Sequence, residues 1–295
     1  MGLGIAAVQN TLEIWQQGYL ENVKKVVEMG SQELHLAEAD FDELIAIAGV
    51  KNYEKDKFPN LGNWPESPRC SSKHLYRILG IDDYYSLDLN EKLGSMSHDY
   101  NLPLEDTSLY SQFDLVTDHG ACEHAFNIAE TYRTMHRMCK PGGLIIIDQA
   151  LWGGNGYYLF DRPFFDGIAA ANNYKVLFTS YIICPGKKTE HGSDFQFHIP
   201  MNKDLLNTIA SNVPYIGVYA LIQKQVEADF QFPYQGDYLV EKQQHLGFNR
   251  LFYRDPPSYS YISLANPEGD GISIKFILRM LIHKVKHKVS SIFSR

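Results

Sequence analysis

Four ionisable side chains follow a short apolar run in the stretch FDLVTDHGACEH at residues 113–124, namely Asp118, His119, Glu123 and His124. His119 suits general-base chemistry on a substrate hydroxyl, because the ordinary histidine pKa of about 6.5 lies near neutral pH. The alternative for His119 is a structural role. Asp118, Glu123 and His124 are also a candidate divalent metal site, although no closely spaced carboxylate pair supports it. For Glu123 and His124 we favour capping of the next helix, whose first turn attracts a carboxylate.

Predicted strands and helices alternate along the chain, and these elements must position the four ionisable residues. Short apolar or β-branched runs predict strands, and periodic apolar spacing that ends at Gly or Pro predicts helices. The predicted strands are 24–30, 84–89, 113–118, 143–151, 174–183 and 215–224. The predicted helices are 71–81, 122–143 (closed by the KPGG segment) and 159–171. This repeated order predicts an α/β fold with a doubly wound, mostly parallel sheet and right-handed crossovers.

Acidic residues stand at the carboxyl ends of four predicted strands: Glu28, Asp88, Asp118 and Asp148. In open α/β sheets, ligands bind outside the carboxyl ends of the strands. We therefore expect the binding site on this edge of the sheet. The glycine cluster WGGNG at 152–156 is interpreted as a loop of the same edge.

Several segments resemble the class I S-adenosylmethionine-dependent methyltransferases. The second half of that family's domain is similar to three consecutive segments here: FDLVTDHGACEH, the helix after it, and KPGG with the apolar strand that follows. YYSLDLNE (84–91) resembles its second strand, and SHDYNLPL (97–104) resembles the segment after that strand. VVEMGSQELHL (26–36) lies where the family has a glycine-rich first motif. The resemblance covers roughly residues 20–225 and implies a Rossmann-like sheet of the class I type.

The resemblance implies S-adenosylmethionine as the cofactor. It assigns cofactor-binding positions to Glu28, Gly30, Ser31, Gln32, Asp88, Leu89, Asp99 and Asp118. Asp88 would accept the two ribose hydroxyls and Asp99 would approach the adenine amine, while Glu28 and Asp118 would lie near the methionyl group. A single glycine remains in the first motif.

The predicted activity is methyl transfer to a small-molecule or glycosyl acceptor, as O-methylation, with His119 as the base and Asp118 as the second candidate. The alternative is a binding or scaffold protein with the same fold and no turnover, since Ser31 and Gln32 stand in the glycine motif. A nicotinamide enzyme is disfavoured, because no Gly-x-Gly-x-x-Gly follows a predicted strand.

We expect a methyltransferase-like domain at 1–270. Asp88 follows Gly30 by 58 residues, whereas about 20 residues separate such positions in dinucleotide folds. Residues 37–72 are therefore interpreted as an insertion after the first strand, either a lid over the site or a surface decoration. The segment 187–200, with His191, Asp194 and His198, is interpreted as a polar surface hairpin or as part of the substrate side.

The C-terminal segment 271–295 has six Lys and Arg and no acidic residue, in a chain of net charge −8. Its apolar residues share one helical face, so the segment predicts a helix with a weak affinity for anionic membrane surfaces, or one that docks on the domain or a partner subunit. The acidic charge of the rest argues against unspecific nucleic-acid binding. The four cysteines form no CxxC pair, and no signal peptide is evident. We therefore expect a cytoplasmic protein, peripheral to the inner face of the membrane if the segment binds lipid.

Overall fold

A computed structural model of the chain describes residues 2–51, 53, 70–184, 196–202, 204, 206, 207, 213, 215–233 and 278. Its strands are β1 (Gly2–Leu3), β2 (Lys25–Met29), β3 (Glu33–Leu34), β4 (Asp83–Leu87), β5 (Phe113–His119), β6 (Cys139–Trp152), β7 (Tyr174–Cys184), β8 (Phe197–Ile199) and β9 (Tyr215–Lys224). Its helices are α1 (Ile5–Gln16), α2 (Glu38–Ala48), α3 (Lys73–Ile78), α4 (Ile128–Met138) and α5 (Arg162–Asn172).

Seven strands form the main sheet in the order β4-β2-β5-β6-β9-β7-β8. β4, β2, β5 and β6 are parallel to one another, whereas β9 runs antiparallel between β6 and β7. The predicted mostly parallel α/β sheet is confirmed. Its parallel half brings Met29, Leu87 and Asp118 to one level at the carboxyl edge, since Met29 pairs with both of the others.

Helices cover both faces of this sheet. On one face, α1, α2 and α3 contribute Leu12, Phe41 and Leu75 to a buried apolar cluster. On the other face, α4 and α5 contribute Met135 and Phe165 to a second cluster. A parallel sheet buried on both faces requires nearly continuous apolar strands, which is why these strands were recognisable as apolar runs.

The helix after β5 begins later than the sequence pattern predicts. Cys122–His124 form one 3₁₀ turn, and α4 begins at Ile128 after Asn127, whose side chain accepts from the Glu130 amide at 3.4 Å. The prediction that Glu123 and His124 cap this helix is therefore wrong. An asparagine closer to the helix supplies the cap.

The KPGG segment at 140–143 was predicted to close α4, which is also wrong. α4 ends at Met138, and KPGG lies within β6. The pairing of β5 with β6 is irregular there, passing from Phe113–Cys139 to Leu115–Leu144. Such an irregularity accommodates a proline, which has no N–H to donate to the ladder.

Backbone hydrogen bonds join the residues before the 37–72 region to the residues at its end. The Leu34 N–H donates to the Cys70 carbonyl at 2.9 Å, and the Ser72 N–H donates to the Gln32 carbonyl at 3.1 Å. Its first part forms α2, which packs against α1. Residues 54–69 lie outside the described residues, so the lid stays a prediction. Most of 271–295, and His191 and Asp194, also lie outside them.

Candidate active site

The turn after β2 depends on Gly30. Its φ of +97° is a conformation that side-chain-bearing residues rarely adopt, so glycine is required there. The Gly30 N–H donates to the Leu87 carbonyl at 2.8 Å, which holds the turn against β4. A Cβ at Gly30 would lie 2.8 Å from the Gln32 Nε2 and 3.3 Å from the Ala121 Cβ. The space beside Gly30 is therefore filled by the Gln32 side chain.

Asp88 follows β4 and holds the same turn. Its Oδ2 accepts from the Ser31 N–H at 2.8 Å and from the Ser31 hydroxyl at 2.9 Å, while Oδ1 accepts from the Asn90 N–H at 3.1 Å. The residue is half-buried, and the neighbouring Leu89 is 65% exposed. A carboxylate has about four acceptor positions, and three of them are used here, so Asp88 retains capacity for one further donor on Oδ1. Its bond to a ribose hydroxyl of the cofactor stays a prediction.

Glu28 faces the helical layer of α1, α2 and α3. Its carboxylate is fully buried and accepts from the hydroxyls of Ser72, Tyr76 and Tyr84, the two tyrosines at 2.8 Å. Ser72 precedes α3, but its hydroxyl serves Glu28 rather than capping the helix. These bonds fasten α3 to the sheet. Glu28 as a residue near the methionyl group stays a prediction.

Asp118 organises the loop after β5. Its Oδ1 accepts from the N–H groups of Ala121 and Cys122, both at 3.0 Å, and its Oδ2 accepts from the Gln149 amide. Burial raises the pKa of this carboxyl above its ordinary value, although these donors act in the opposite direction. The arrangement favours positioning of the loop. Its catalytic and cofactor-binding roles stay predictions.

His119 and Asp148 occupy paired positions on β5 and β6. The His119 Nδ1 lies 3.6 Å from the Asp148 Oδ2, an ion-pair contact longer than a hydrogen bond. Burial acts to lower the pKa of His119. The Asp148 carboxylate, with smaller contributions from Glu28 and Asp118, outweighs that effect, so the pKa is raised above its ordinary value. The ring is 3% exposed, and among the described residues neither ring nitrogen has a hydrogen-bond partner.

Glu123 joins two loops of the same edge. Its Oε2 accepts from the Ala150 N–H at 3.3 Å, and its carbonyl accepts from the Tyr157 N–H at 2.8 Å. A Cβ at Gly156 would lie within 2.8 Å of Glu123, so this glycine permits the close approach. His124 Nε2 lies 3.6 Å from Glu123 Oε1. Within the described ranges, no three His, Cys, Asp or Glu residues are placed to hold a metal ion.

Two further candidates lie apart from these residues. Asp99 accepts from the backbone and side-chain amides of Asn101, at 2.9 and 2.8 Å, and those bonds lower the pKa of its carboxyl. Its contact with adenine stays a prediction. His198 is buried against α1, bonded to Ser180 at 2.8 Å and to Asn10 at 2.9 Å. The interpretation of His198 as part of a polar surface hairpin is wrong, because it ties β8 to α1 and β7.

The sequence model of a methyltransferase domain matches residues 70–147, which contain Asp88, Asp99, Asp118 and His119. Residues 70–147 are therefore similar in sequence to a methyltransferase domain. The mostly parallel sheet described above is consistent with the α/β Rossmann-like fold of the class I S-adenosylmethionine-dependent methyltransferases. No curated protein matches the sequence.

Several solved methyltransferase structures match the chain at low sequence identity. A Thermotoga maritima protein described as a possible histamine N-methyltransferase is 11% identical, with 74% of this chain and 92% of that chain covered and a TM-score of 0.36. The Burkholderia thailandensis 1,6-didemethyltoxoflavin-N1-methyltransferase is 9% identical, with coverages of 75% and 79% and a TM-score of 0.33. The chain spans about half the length of two others, 55% of trans-methyltransferase CalH and 53% of a citrinin polyketide synthase CMeT domain.

The sequence pointed to Asp88, His119 and Gln32, but not to the contact between His119 and Asp148 or to that between Asp118 and Gln149. Asp148 was recognisable as an acid at a strand end, whereas its pairing with His119 depends on the register of β5 and β6. Register between strands of a buried parallel sheet is set by packing across the whole sheet, so no local signal identifies it.

Proposed function

We propose that this methyltransferase-fold chain transfers a methyl group from S-adenosylmethionine to a hydroxyl of a small-molecule or glycosyl acceptor. The observation that carries the O-methylation is the buried His119–Asp148 pair at the carboxyl ends of β5 and β6. A hydroxyl acceptor must lose a proton, and a histidine beside a carboxylate is suited to accept it.

Asp88 and Leu89 support the nucleoside end of this proposal. The half-buried Asp88 carboxylate is fixed by Ser31 and keeps one free acceptor position, and the exposed Leu89 offers an apolar surface beside it. Bound S-adenosylmethionine would supply a methyl group on a sulfonium centre. The acidic residues of this edge suit a cationic ligand.

The proton step is assigned to His119. The neutral ring accepts the acceptor's hydroxyl proton on one nitrogen, and Asp148 stabilises the imidazolium that results. Because the His119 side chain is 3% exposed, the acceptor hydroxyl must be brought to a site from which water is largely excluded. Alignment of two bound reactants contributes up to roughly 7–11 kcal/mol in well-oriented reactions.

Exposed apolar side chains beside this site support an acceptor with a ring. Phe126 and Tyr157 are 72% and 71% exposed and pack edge to face with centroids 5.7 Å apart. Trp152, the last residue of β6, and Leu159, in the segment after it, are 58% and 53% exposed. Aromatic surfaces of this kind stack on sugar or aromatic rings.

Asp88→Ala tests the cofactor site. We expect it to weaken S-adenosylmethionine binding by roughly 10- to 100-fold in calorimetry, since hydrogen bonds to a charged group contribute about 1.5–3 kcal/mol. Asp83→Ala, an exposed acid at the other end of β4, is the matched control and should bind as the wild type does. Equal affinities of all three proteins would exclude this site.

A binding or scaffold protein without turnover is the second candidate, and the Gln32 side chain beside Gly30 favours it. A methyl-transfer assay with labelled cofactor and a panel of hydroxyl-bearing acceptors separates the two. Cofactor binding without transfer to any acceptor, in wild type and His119→Gln alike, would support the scaffold.

A further inference from the structure

The Gln32 side chain makes an unusual pair of contacts beside Gly30. It is fully buried, and its Nε2 donates to the Met29 carbonyl at 2.9 Å and to the His119 carbonyl at 3.4 Å. These carbonyls belong to the last residues of β2 and β5, two neighbouring strands. One nitrogen therefore bridges two backbone acceptors at the carboxyl edge of the sheet.

The acceptor end of the same amide is unsatisfied. Gln32 Oε1 is buried and, within the described part of the chain, has no hydrogen-bond partner. The opposite amide orientation would set this oxygen against two carbonyl oxygens, so the orientation with Nε2 toward them is the one that the contacts require. A buried acceptor without a partner is destabilising, because it has lost its bonds to water and gained none. Gln32 thus fills the space beside Gly30 at an energetic cost.

The two carbonyls define the ligand group that would replace the amide. Converging backbone acceptors beside buried acids select a group with several N–H donors and a positive charge. The aliphatic ammonium of S-adenosylmethionine has both properties. Asp88, which marks the nucleoside end, contacts Ser31, the residue next to Gln32.

We propose that Gln32 determines cofactor affinity, because its amide occupies the position of the cofactor ammonium group and must leave before the cofactor binds. This inference rests on the proposed function. The occupied arrangement lowers the apparent affinity by the fraction of molecules in which the position is open. Ligands that lack the ammonium group do not compete with the amide.

Calorimetry with two probes tests this. S-adenosylhomocysteine carries the ammonium group, and 5′-methylthioadenosine carries the nucleoside without it. Gln32→Ala should bind S-adenosylhomocysteine roughly tenfold more tightly than wild type, which corresponds to an open fraction of about a tenth in the wild type. Its affinity for 5′-methylthioadenosine should be unchanged.

Two further variants control for loss of an amide and loss of volume. Gln223→Ala removes an exposed amide that also donates to a backbone carbonyl, that of Gly142 at 2.9 Å, and should bind both probes as wild type does. Gln32→Met keeps bulk but loses the N–H donors, so it should bind S-adenosylhomocysteine more tightly than wild type and less tightly than Gln32→Ala. It also serves if Gln32→Ala does not fold.

The outcomes separate this inference from the proposed function. Equal or weaker binding of S-adenosylhomocysteine by both Gln32 variants, with wild-type binding intact, overturns the role of Gln32 alone. An equal gain for both probes also overturns it, because the gain would then not depend on the ammonium group. Failure of every variant to bind either probe rejects the proposed cofactor and this inference together.

Discussion

His119 and Asp148 show how two side chains acquire a property that neither has alone. Burial would favour the neutral imidazole, but the carboxylate 3.6 Å away raises the pKa of His119 above its ordinary value. At neutral pH, part of the population therefore carries an imidazolium, which cannot accept a proton. The base proposed for O-methylation is thus fully available only at alkaline pH.

Asp148→Asn should move the acidic limb of the pH–rate profile to lower pH. Activity requires neutral His119, so kcat/KM rises as pH passes upward through the raised pKa, above about 6.5. Removing the carboxylate lowers that pKa and shifts the limb down. The measurement is kcat/KM against pH for wild type, Asp148→Asn and Asp83→Asn, the last expected to match wild type. An unmoved limb in Asp148→Asn would assign the base to another residue.

The sequence was informative about which acidic residues stand at strand ends and uninformative about which side chains they contact. Asp88 and Asp148 were recognisable because a polar residue ended an apolar run. The direction of each side chain was not recognisable, since alternate residues of a buried strand face opposite layers. Glu28 accepts hydrogen bonds from Tyr76 of α3, from Ser72 just before that helix and from Tyr84 of the neighbouring β4.

Among the elements, strands were predicted more closely than helix ends. β9 was predicted at 215–224, and the structure has it at Tyr215–Lys224, because its apolar run is buried on both faces. α4 was predicted to extend at both ends beyond Ile128–Met138. The end of α4 is bound by a distant residue, since the buried Lys224 Nζ donates to the carbonyl of His136 in its last turn and to that of Cys139 directly after it, at 3.0 and 2.9 Å. A contact from another strand leaves no local signal at a helix end.

α1 carries a buried acid whose charge opposes folding. Glu13 is 7% exposed, and burial raises its pKa from 4.5 to about 7, although the Gln9 amide acts in the opposite direction. A carboxyl whose pKa is raised in the folded state contributes stability below about pH 4.5. That contribution is lost as pH rises through about 7, because the buried group must then ionise.

Glu13→Gln should therefore stabilise the protein at alkaline pH only. We expect its free energy of unfolding at pH 8 to exceed that of wild type by up to about 3 kcal/mol, with a small difference near pH 5. Urea unfolding at both pH values measures this, with Glu21→Gln at an exposed position as the control. A gain of equal size at both pH values would mean that charge is not its cause.

The formal charge of the whole molecule is unevenly distributed along the chain. Residues 271–295 have six Lys and Arg, whereas residues 1–270 have 21 Lys and Arg against 35 Asp and Glu, a charge of −14. None of the described helices is long and apolar enough to cross a membrane. The composition of the basic segment suits contact with an anionic surface.

Removal of residues 271–295 should abolish binding to anionic vesicles. A basic residue near an anionic surface contributes about 1 kcal/mol, so replacing Lys284, Lys286 and Lys288 with Gln should weaken binding roughly 100-fold at low salt. Sedimentation with phosphatidylserine-containing vesicles measures this, and raised salt should weaken wild-type binding because it screens the attraction. Vesicles of phosphatidylcholine alone are the control. Equal sedimentation of the full chain and the shortened one would show that the segment serves the domain or a partner subunit instead.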